Sequence, residues 1–342
     1  MSAVFFTAGI YYNSGSKESD QTILNGNKTV NPNEQIEKKD ESFNQEAQRA
    51  DKGIASMIGS SAEKLKAQYG EPDRIDPSAY GYDWWIYHRS DDDYFQFGVS
   101  GNKVVTAYGL GDKVDIRPFK IGQSIDEIYS RLYVQALVDI TLDSSLYRFE
   151  LSEEDMNMRP LIDLGNVFAQ LYLDKFTGRV SSVRFLDDWT LVKQEPYEMT
   201  YRGALLKEKE LSEADYKAID EGNTKQIFDI TNIMRKRFDR NPLIWDDETA
   251  AAASLHSVEM SETETLSSVS EAKDDISGRL REGNVKFKEA GENIAYDYID
   301  AIAAVEGWIN SKTHRDTLLD EKYTHLGVGS FKKNYTQSFI SK

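Results

Sequence analysis

The sequence predicts an α+β protein of two folded domains, the second of which is a three-layered α/β/α sandwich. Its 342 residues exceed what one hydrophobic core usually serves. Between residues 55 and 201 the same short pattern occurs twice, each time before a helix that leads into strands. After residue 227, amphipathic helices precede two strand-like segments, an order that favours helices layered on an antiparallel sheet.

Composition and charge exclude several classes of function. The formal net charge of −17 repels nucleic-acid phosphates and anionic lipids unless a basic patch offsets it, so we expect no nucleic-acid partner. The densest basic stretch, Met234–Arg240, lies on a predicted helix, and we expect it to be a solvated helix face. The absence of cysteine excludes disulfides, thiolate nucleophiles and cysteine-bound zinc.

Residues 1–54 are not expected to form a folded domain. Residues 1–12 contain the apolar run Ala3–Tyr12, which is too short to span a bilayer and has no basic segment before it. We interpret residues 1–12 as the remnant of an export signal or membrane anchor, and the polar residues 13–54 as a tether. This predicts a protein outside the cell, either secreted or anchored, that contacts a membrane only through the missing anchor.

Residues 55–201 are predicted to form one α+β domain of two helix-plus-meander repeats. The first half opens with Ile58-Gly59-Ser60-Ser61 and the second with Ile121-Gly122-Gln123-Ser124, and in both a serine is placed to cap a helix. In each half the last two strands meet at a glycine turn, as in a hairpin. The predicted strands are Tyr82–His88, Tyr94–Val99 and Lys103–Tyr108 in the first half, and Ser145–Glu150, Val167–Leu173 and Arg179–Phe185 in the second.

Residues 202–226, with a run of charged side chains, are expected to be a linker. The domain over 227–342 then opens with a helix that begins at Ile227 and stops before Pro242. A second helix runs to about Met260, and a third spans Ile299–Ile309 with Trp308 beside its buried stripe.

Six motifs of residues 227–342 occur together in a characteristic order. They are Leu243-Ile244-Trp245-Asp246, His256-Ser257-Val258-Glu259-Met260, Gly291-Glu292-Asn293-Ile294-Ala295, Trp308-Ile309-Asn310-Ser311-Lys312-Thr313-His314-Arg315, Tyr323-Thr324-His325-Leu326-Gly327-Val328-Gly329 and Tyr335-Thr336-Gln337. Through these motifs the region resembles the CAP superfamily, which comprises cysteine-rich secretory, antigen 5 and pathogenesis-related proteins and whose domain is also called the SCP domain. The repeats at 55–201 resemble the CAP-associated domain that precedes the CAP domain in a bacterial subgroup. The resemblance implies an α/β/α sandwich with a central groove.

The resemblance also implies where a site lies. Many CAP domains place two histidines and two acidic residues in the groove, and some hold zinc or another divalent cation there. Glu292, in Gly-Glu-Asn-Ile-Ala, matches the first acidic position, and His314, in Thr-His-Arg, matches one histidine. Ser268 and Ser311 stand where the other histidine and the other acidic residue are expected. We therefore expect Glu292 and His314 to project into one ligand-binding groove beside Ser268 and Ser311.

Only two of these four positions are kept, and two residues are too few to support catalysis. A catalytic zinc needs about three protein ligands, whereas Glu292 and His314 supply two at most, so we expect no cofactor and no catalytic residue; if zinc or another divalent cation binds, Glu292 and His314 are the residues that would hold it. His256 and Glu259 form an i, i+3 pair on the second helix and are secondary candidates, for which a helix-packing or surface role is expected. Neither a nucleophile elbow nor a metalloprotease helix motif is present.

These expectations favour a non-enzymatic binding protein outside the cell or at its surface. Its groove would contact a small ligand, a glycan, a peptide or a partner protein. Two alternatives stay open: a divalent-metal-dependent hydrolase or protease with a degenerate His/Glu site, and a protein-interaction module that acts through the repeat domain.

Overall fold

The computed structural model describes residues 28–29, 49–206, 210–263 and 276–342. Residues 1–12 and most of the predicted tether therefore lie outside the described residues. The chain forms two compact units, with the boundary between Glu210 and Leu211. In the part of the chain that the structure describes, no helix has both the length and the apolar composition needed to cross a bilayer.

The N-terminal unit contains eleven named strands among its described residues. They are β1 (Lys28–Thr29), β2 (Arg74–Pro77), β3 (Asp83–Ser90), β4 (Asp93–Ser100), β5 (Lys103–Gly109), β6 (Leu137–Leu142), β7 (Ser145–Glu150), β8 (Leu161–Asp163), β9 (Phe168–Asp174), β10 (Arg179–Leu186) and β11 (Glu198–Arg202). The helices are α1 (Ala62–Tyr69), α2 (Ile125–Tyr129), α3 (Glu153–Met158) and α4 (Asp188–Gln194), with a 3-10 turn at Ile54–Met57. One sheet has the order β2-β3-β4-β5-β10-β9-β8, and a second has the order β1-β11-β7-β6.

The two predicted halves are repeated in detail around their Gly-x-Ser segments. Ser61 caps α1 by accepting from Lys64 N, and Ser124 caps α2 by accepting from Asp126 N. The amide of Gly59 donates to the Val104 carbonyl of β5, and Gly122 donates in the same way to Val180 of β10. Both glycines adopt positive φ, at 86° and 76°. The expected α+β repeat is thereby confirmed.

One predicted strand, Ser145–Glu150, does not join the meander of the second half. It forms β7, which pairs with β6 and β11 in the four-stranded sheet, while the short strand β8 takes the place beside β9. The reason is that the β6–β7 hairpin has a hydrophobic core of its own, in which Ile140, Phe149 and Leu191 are buried together.

The C-terminal unit is the predicted sandwich. Its elements are α5 (Glu213–Arg237), β12 (Ile244–Trp245), α6 (Asp247–Thr263), α7 (Ile276–Glu282), β13 (Glu289–Tyr296), α8 (Ala301–Ile309), α9 (Lys312–Leu318), β14 (His325–Phe331) and β15 (Asn334–Ser341). The sheet has the order β12-β14-β15-β13.

Close contacts show which helices cover each face of this sheet. A Cβ added to Gly327 would lie 2.2 Å from the Ala250 amide nitrogen, so α6 packs directly on that face. On the other face, Gln337 Nε2 donates to Thr231 Oγ1 of α5 at 2.6 Å. A Cβ added to Gly291 would lie 3.2 Å from Thr317 of α9, and α8 packs against α5 and α9. The sheet is therefore sandwiched between α6 and the layer of α5, α8 and α9.

The first helix of this unit begins well before the predicted start at Ile227. Ser212 caps α5 in a reciprocal capping box with Asp215. Asp220 then accepts from Lys332 N at 3.1 Å and from Ser330 Oγ at 3.2 Å, and burial raises its pKa to about 6. Residues 213–226 thus form part of the sandwich and are not a linker. The hydrogen bonds that attach them to the sheet are polar, and the apolar pattern of the sequence does not reveal them.

The basic stretch Met234–Arg240 is only partly the solvated face that its charge suggests. Lys236 is exposed, but Arg235 is fully buried. Its guanidinium donates to the carbonyl oxygens of Asn241, Leu318 and Asp320, so the cation ties α5 to two loops.

Candidate ligand-binding site

The carboxylate of Glu292 is the centre of a charged cluster at the edge of the sandwich. Its Oε2 accepts from Arg279 Nη2 of α7 at 2.6 Å and lies 3.7 Å from His256 Nε2 of α6. Its Oε1 accepts from Ser338 Oγ at 3.4 Å. The side chains of Arg279 and Glu292 are 14% and 17% exposed, so the pair is shielded but reachable from solvent.

The second-helix pair predicted from sequence belongs to this cluster. His256 Nδ1 lies 3.6 Å from Glu259 Oε2, with the histidine side chain buried and that of Glu259 64% exposed. His256 thus stands between the two glutamates and connects the interior of the site to the surface of α6. We refer to Arg279, Glu292, His256 and Glu259 as the Glu292 cluster.

His314 does not join the Glu292 cluster, which corrects the expectation that the two residues share a groove. Asn293 Nδ2 donates to the His314 carbonyl at 3.0 Å. Because successive residues of a strand project to opposite faces, Asn293 and Glu292 point to different sides of the sheet. His314 is buried on α9, in the layer opposite α6. Glu292 and His314 are therefore connected through Asn293, which contacts the His314 carbonyl, and their side chains belong to separate layers.

Ser311, one of the two serines of the predicted groove, does not belong to the Glu292 cluster. Ser311 precedes α9 in the same layer as His314, and its hydroxyl is buried with no hydrogen-bond partner among the described residues. Ser268 lies outside the described residues.

Sequence reasoning missed Arg279, the residue that neutralises Glu292. No motif marks it, since it is an ordinary basic residue in the last turn of α7. Only an indirect argument points to Arg279: a shielded carboxylate such as that of Glu292 requires a cation or several hydrogen-bond donors to offset its desolvation.

The residues around Glu292 do not fit a divalent cation. Arg279 donates to the carboxylate oxygen that a metal would use, and His314 is held in the other layer. Among the described residues, no group of three or more His, Asp or Glu side chains is arranged to hold a metal ion. A metal at this site would have to displace the guanidinium and would keep fewer than the three ligands that a catalytic zinc uses.

The arrangement is also unsuited to nucleophilic catalysis. A serine nucleophile needs an imidazole within hydrogen-bond reach and a path to the substrate. Ser338 instead donates to the Glu292 carboxylate, and the whole residue is 2% exposed. The cluster can therefore orient and bind polar groups, and Ser338 is not placed to act as a nucleophile.

The fold and this site define a two-domain protein of CAP type. The family model described as CAP-associated N-terminal matches residues 58–197, and the model of the cysteine-rich secretory protein family, CAP, matches residues 228–341. The chain belongs to the CAP family and carries the CAP-associated domain ahead of its CAP domain. The family resemblance of the sequence motifs is thus confirmed.

Relatives that align with most of this chain support this assignment. The chain is 48% identical over 290 residues to the uncharacterized membrane protein YlbC of Bacillus subtilis (strain 168), a match covering 85% of this chain and 84% of YlbC. A solved extracellular protein containing a SCP domain from Bacillus anthracis str. Ames is 41% identical with a TM-score of 0.81, over 90% of this chain and 100% of the other. A cysteine-rich secretory protein (SAV1118) from Staphylococcus aureus subsp. aureus Mu50 is 28% identical with a TM-score of 0.76, over 87% and 95%.

Proposed function

We propose that this protein is a non-enzymatic binding protein outside the cell or at its surface, and that its CAP domain binds at the Glu292 cluster. The observation that carries the proposal is the Arg279–Glu292–His256 arrangement, in which an ion pair and a neighbouring imidazole lie together at the edge of solvent. Groups held in this way lose little conformational freedom when a ligand arrives, which favours recognition.

The surface of α6 beside the cluster supports this proposal. Leu255 is 66% exposed, and Glu259 lies one helical turn further along the same face. An exposed apolar side chain next to an acidic one suits a ligand that has both polar and apolar groups, such as a glycan, a peptide or a segment of a partner protein. The ligand would approach over α6 and reach the shielded Arg279–Glu292 pair.

The names of the relatives support a location outside the cytoplasm. YlbC is called a membrane protein, and the Bacillus anthracis protein is called extracellular. The hydrolase alternative lacks support, because Ser338 is not placed as a nucleophile and no group of three metal-ligating side chains occurs among the described residues.

A binding assay with purified Bacillus subtilis cell-wall sacculi, which present glycan and peptide groups together, tests this function. We expect the protein to co-sediment with sacculi, and we expect Leu255→Ser and Glu259→Gln to weaken binding by about five- to tenfold, because each removes about 1 kcal/mol of contact. Both residues are exposed, so the fold is retained. Lys312→Ala, an exposed change on the opposite layer, is the matched control and should bind as the unchanged protein does.

Two outcomes would contradict the proposal. One is binding that Leu255→Ser and Glu259→Gln leave unchanged. The other is release of soluble sugars or peptides from the sacculi that disappears in Glu292→Gln, since turnover through this carboxylate would make the protein an enzyme.

A further inference from the structure

The N-terminal domain contains an open cleft of about 390 Å³ that is separate from the Glu292 cluster. It lies between three pieces of the first repeat: the segment that leads into the 3-10 turn at Ile54–Met57, the exposed side of α1, and the loop around Asp115. Its volume is near the lower end of the range of about 300–1,000 Å³ that small-molecule sites occupy. A ligand that fills it must be small.

The walls of this cleft are held in place by the domain core. Ile54 and Met57 are buried in the main hydrophobic cluster, and Ile54 N donates to the Asp115 carbonyl at 2.9 Å. Gly53 adopts φ +83°, and a Cβ there would lie 2.4 Å from the same carbonyl oxygen. Only glycine lets the two walls approach so closely. The cleft is thus preformed by backbone packing, which lowers the ordering cost of binding.

The charged side chains around the cleft differ in how closely they are paired. Arg117 Nε donates to Asp115 Oδ1 at 2.7 Å, and this contact lowers the pKa of the Asp115 carboxyl. By contrast, Asp51, Lys52 and Lys64 line the cleft and make no ion pair within 4.0 Å to any residue that the structure describes, although Asp51 also acts electrostatically on Arg117 and Lys52 on Asp115. Within the described residues, two cations and one anion of the lining are therefore not engaged in a close ion pair.

This balance of charge points to one class of ligand. The lining carries three cations and two carboxylates, a local excess of positive charge on a chain whose formal net charge is −17. Lys52 and Lys64 attract a carboxylate, whereas Asp51 and Asp115 disfavour a ligand with two negative charges. Asp51 can pair with an ammonium group, and Tyr69 and Met57 provide an aromatic and an apolar surface.

We propose that this cleft binds a zwitterionic ligand of amino-acid to dipeptide size. The carboxylate of the ligand faces Lys52 and Lys64, and its ammonium group faces Asp51. This site lies in the N-terminal unit, at the start of the residues that match the CAP-associated model, and does not depend on the function proposed for the CAP domain.

Titration of the full-length, isotope-labelled protein with the dipeptide L-alanyl-L-alanine, followed by amide chemical shifts, tests this site. We expect saturable shifts at Gly53, Ser56 and Gln68, which line the cleft. The double change Lys52→Gln and Lys64→Gln, and separately Asp51→Asn, should each raise the Kd about tenfold or more, because each removes a charged hydrogen bond. Lys113→Gln, which alters an exposed lysine paired with Asp92 outside the cleft, is the matched control and should leave the Kd unchanged.

Modified probes separate a zwitterion site from a general anion site. N-acetyl-alanyl-alanine lacks the ammonium group and alanyl-alanine amide lacks the carboxylate, so each should bind about tenfold more weakly than the dipeptide. The proposal is overturned by any of three results: no saturable shift at the cleft, acetylated dipeptide or inorganic phosphate binding as tightly as the dipeptide, or an unchanged Kd in the cleft variants.

Discussion

Replacing Trp308 by alanine is expected to lower the free energy of unfolding of the CAP domain by about 3–5 kcal/mol, as truncation of a large core side chain does. The indole is buried on α8, and its Nε1 donates to the Ile294 carbonyl of β13 at 2.8 Å. The change therefore opens a large cavity between helix and sheet and removes a hydrogen bond that joins them. The position also matches the sequence prediction that Trp308 borders the buried stripe of its helix.

Amide hydrogen exchange along β15 measures this effect within the CAP domain alone, which matters because a two-domain chain need not unfold in one step. Trp308→Phe is the matched control because it keeps most of the side-chain volume. It should lower the free energy of unfolding by about 1–2 kcal/mol, from the missing hydrogen bond and a smaller cavity. Exchange protection that is the same in Trp308→Ala and in the unchanged protein would mean that the indole is not part of this core.

Arg235→Ala is expected to be comparably destabilising, although arginine is ordinarily a surface residue. The guanidinium is fully buried, where Nε donates to Asn241 O at 2.9 Å and Nη1 donates to Leu318 O at 2.6 Å and Asp320 O at 3.0 Å. Its removal leaves three carbonyl oxygens without this donor, at about 1–3 kcal/mol each before relaxation, so we expect a net loss of about 3–5 kcal/mol.

Two neighbouring substitutions control for helix and charge effects. Lys236→Ala removes an exposed cation from the next position of the same helix and should change stability by no more than about 0.5 kcal/mol. Arg235→Lys keeps the charge but loses the planar guanidinium, so its stability should lie between those of Arg235→Ala and Lys236→Ala. Equal stability of Arg235→Ala and Lys236→Ala would show that the buried hydrogen bonds contribute nothing. Both variants are measured by the same exchange experiment.

Local patterns were sufficient for most of the fold. The Gly-x-Ser starts predicted both helix caps of the repeat domain because serine at an N-cap acts through its nearest neighbours in the chain. The helices and strands of the CAP domain follow in the same way from apolar spacing and from the family motifs. These patterns fail where polar contacts set the bounds of an element. Helix α5 begins at Glu213 because Ser212 caps it and because Asp220 accepts a hydrogen bond from the β14–β15 turn.

The candidate site was harder to predict because it depends on which layer each residue occupies. Glu292 and His314 both stand in family motifs, yet a strand alternates its side chains, and the motif does not say which helices cover which face. Arg279 was invisible for a related reason, since its importance comes from the carboxylate that it contacts and from no feature of its own segment. The sequence therefore identified Glu292 and His256 but not the cation that pairs with Glu292.

A pair of double-mutant cycles tests this geometry most directly. One cycle combines Glu292→Gln with Arg279→Met, and the other combines Glu292→Gln with His314→Ala, with the stability of the CAP domain measured for every variant. Side chains in contact should give a coupling of about 0.5–3 kcal/mol for the first cycle, and residues in separate layers should give less than about 0.5 kcal/mol for the second. A larger coupling of Glu292 to His314 than to Arg279 would contradict the site described here.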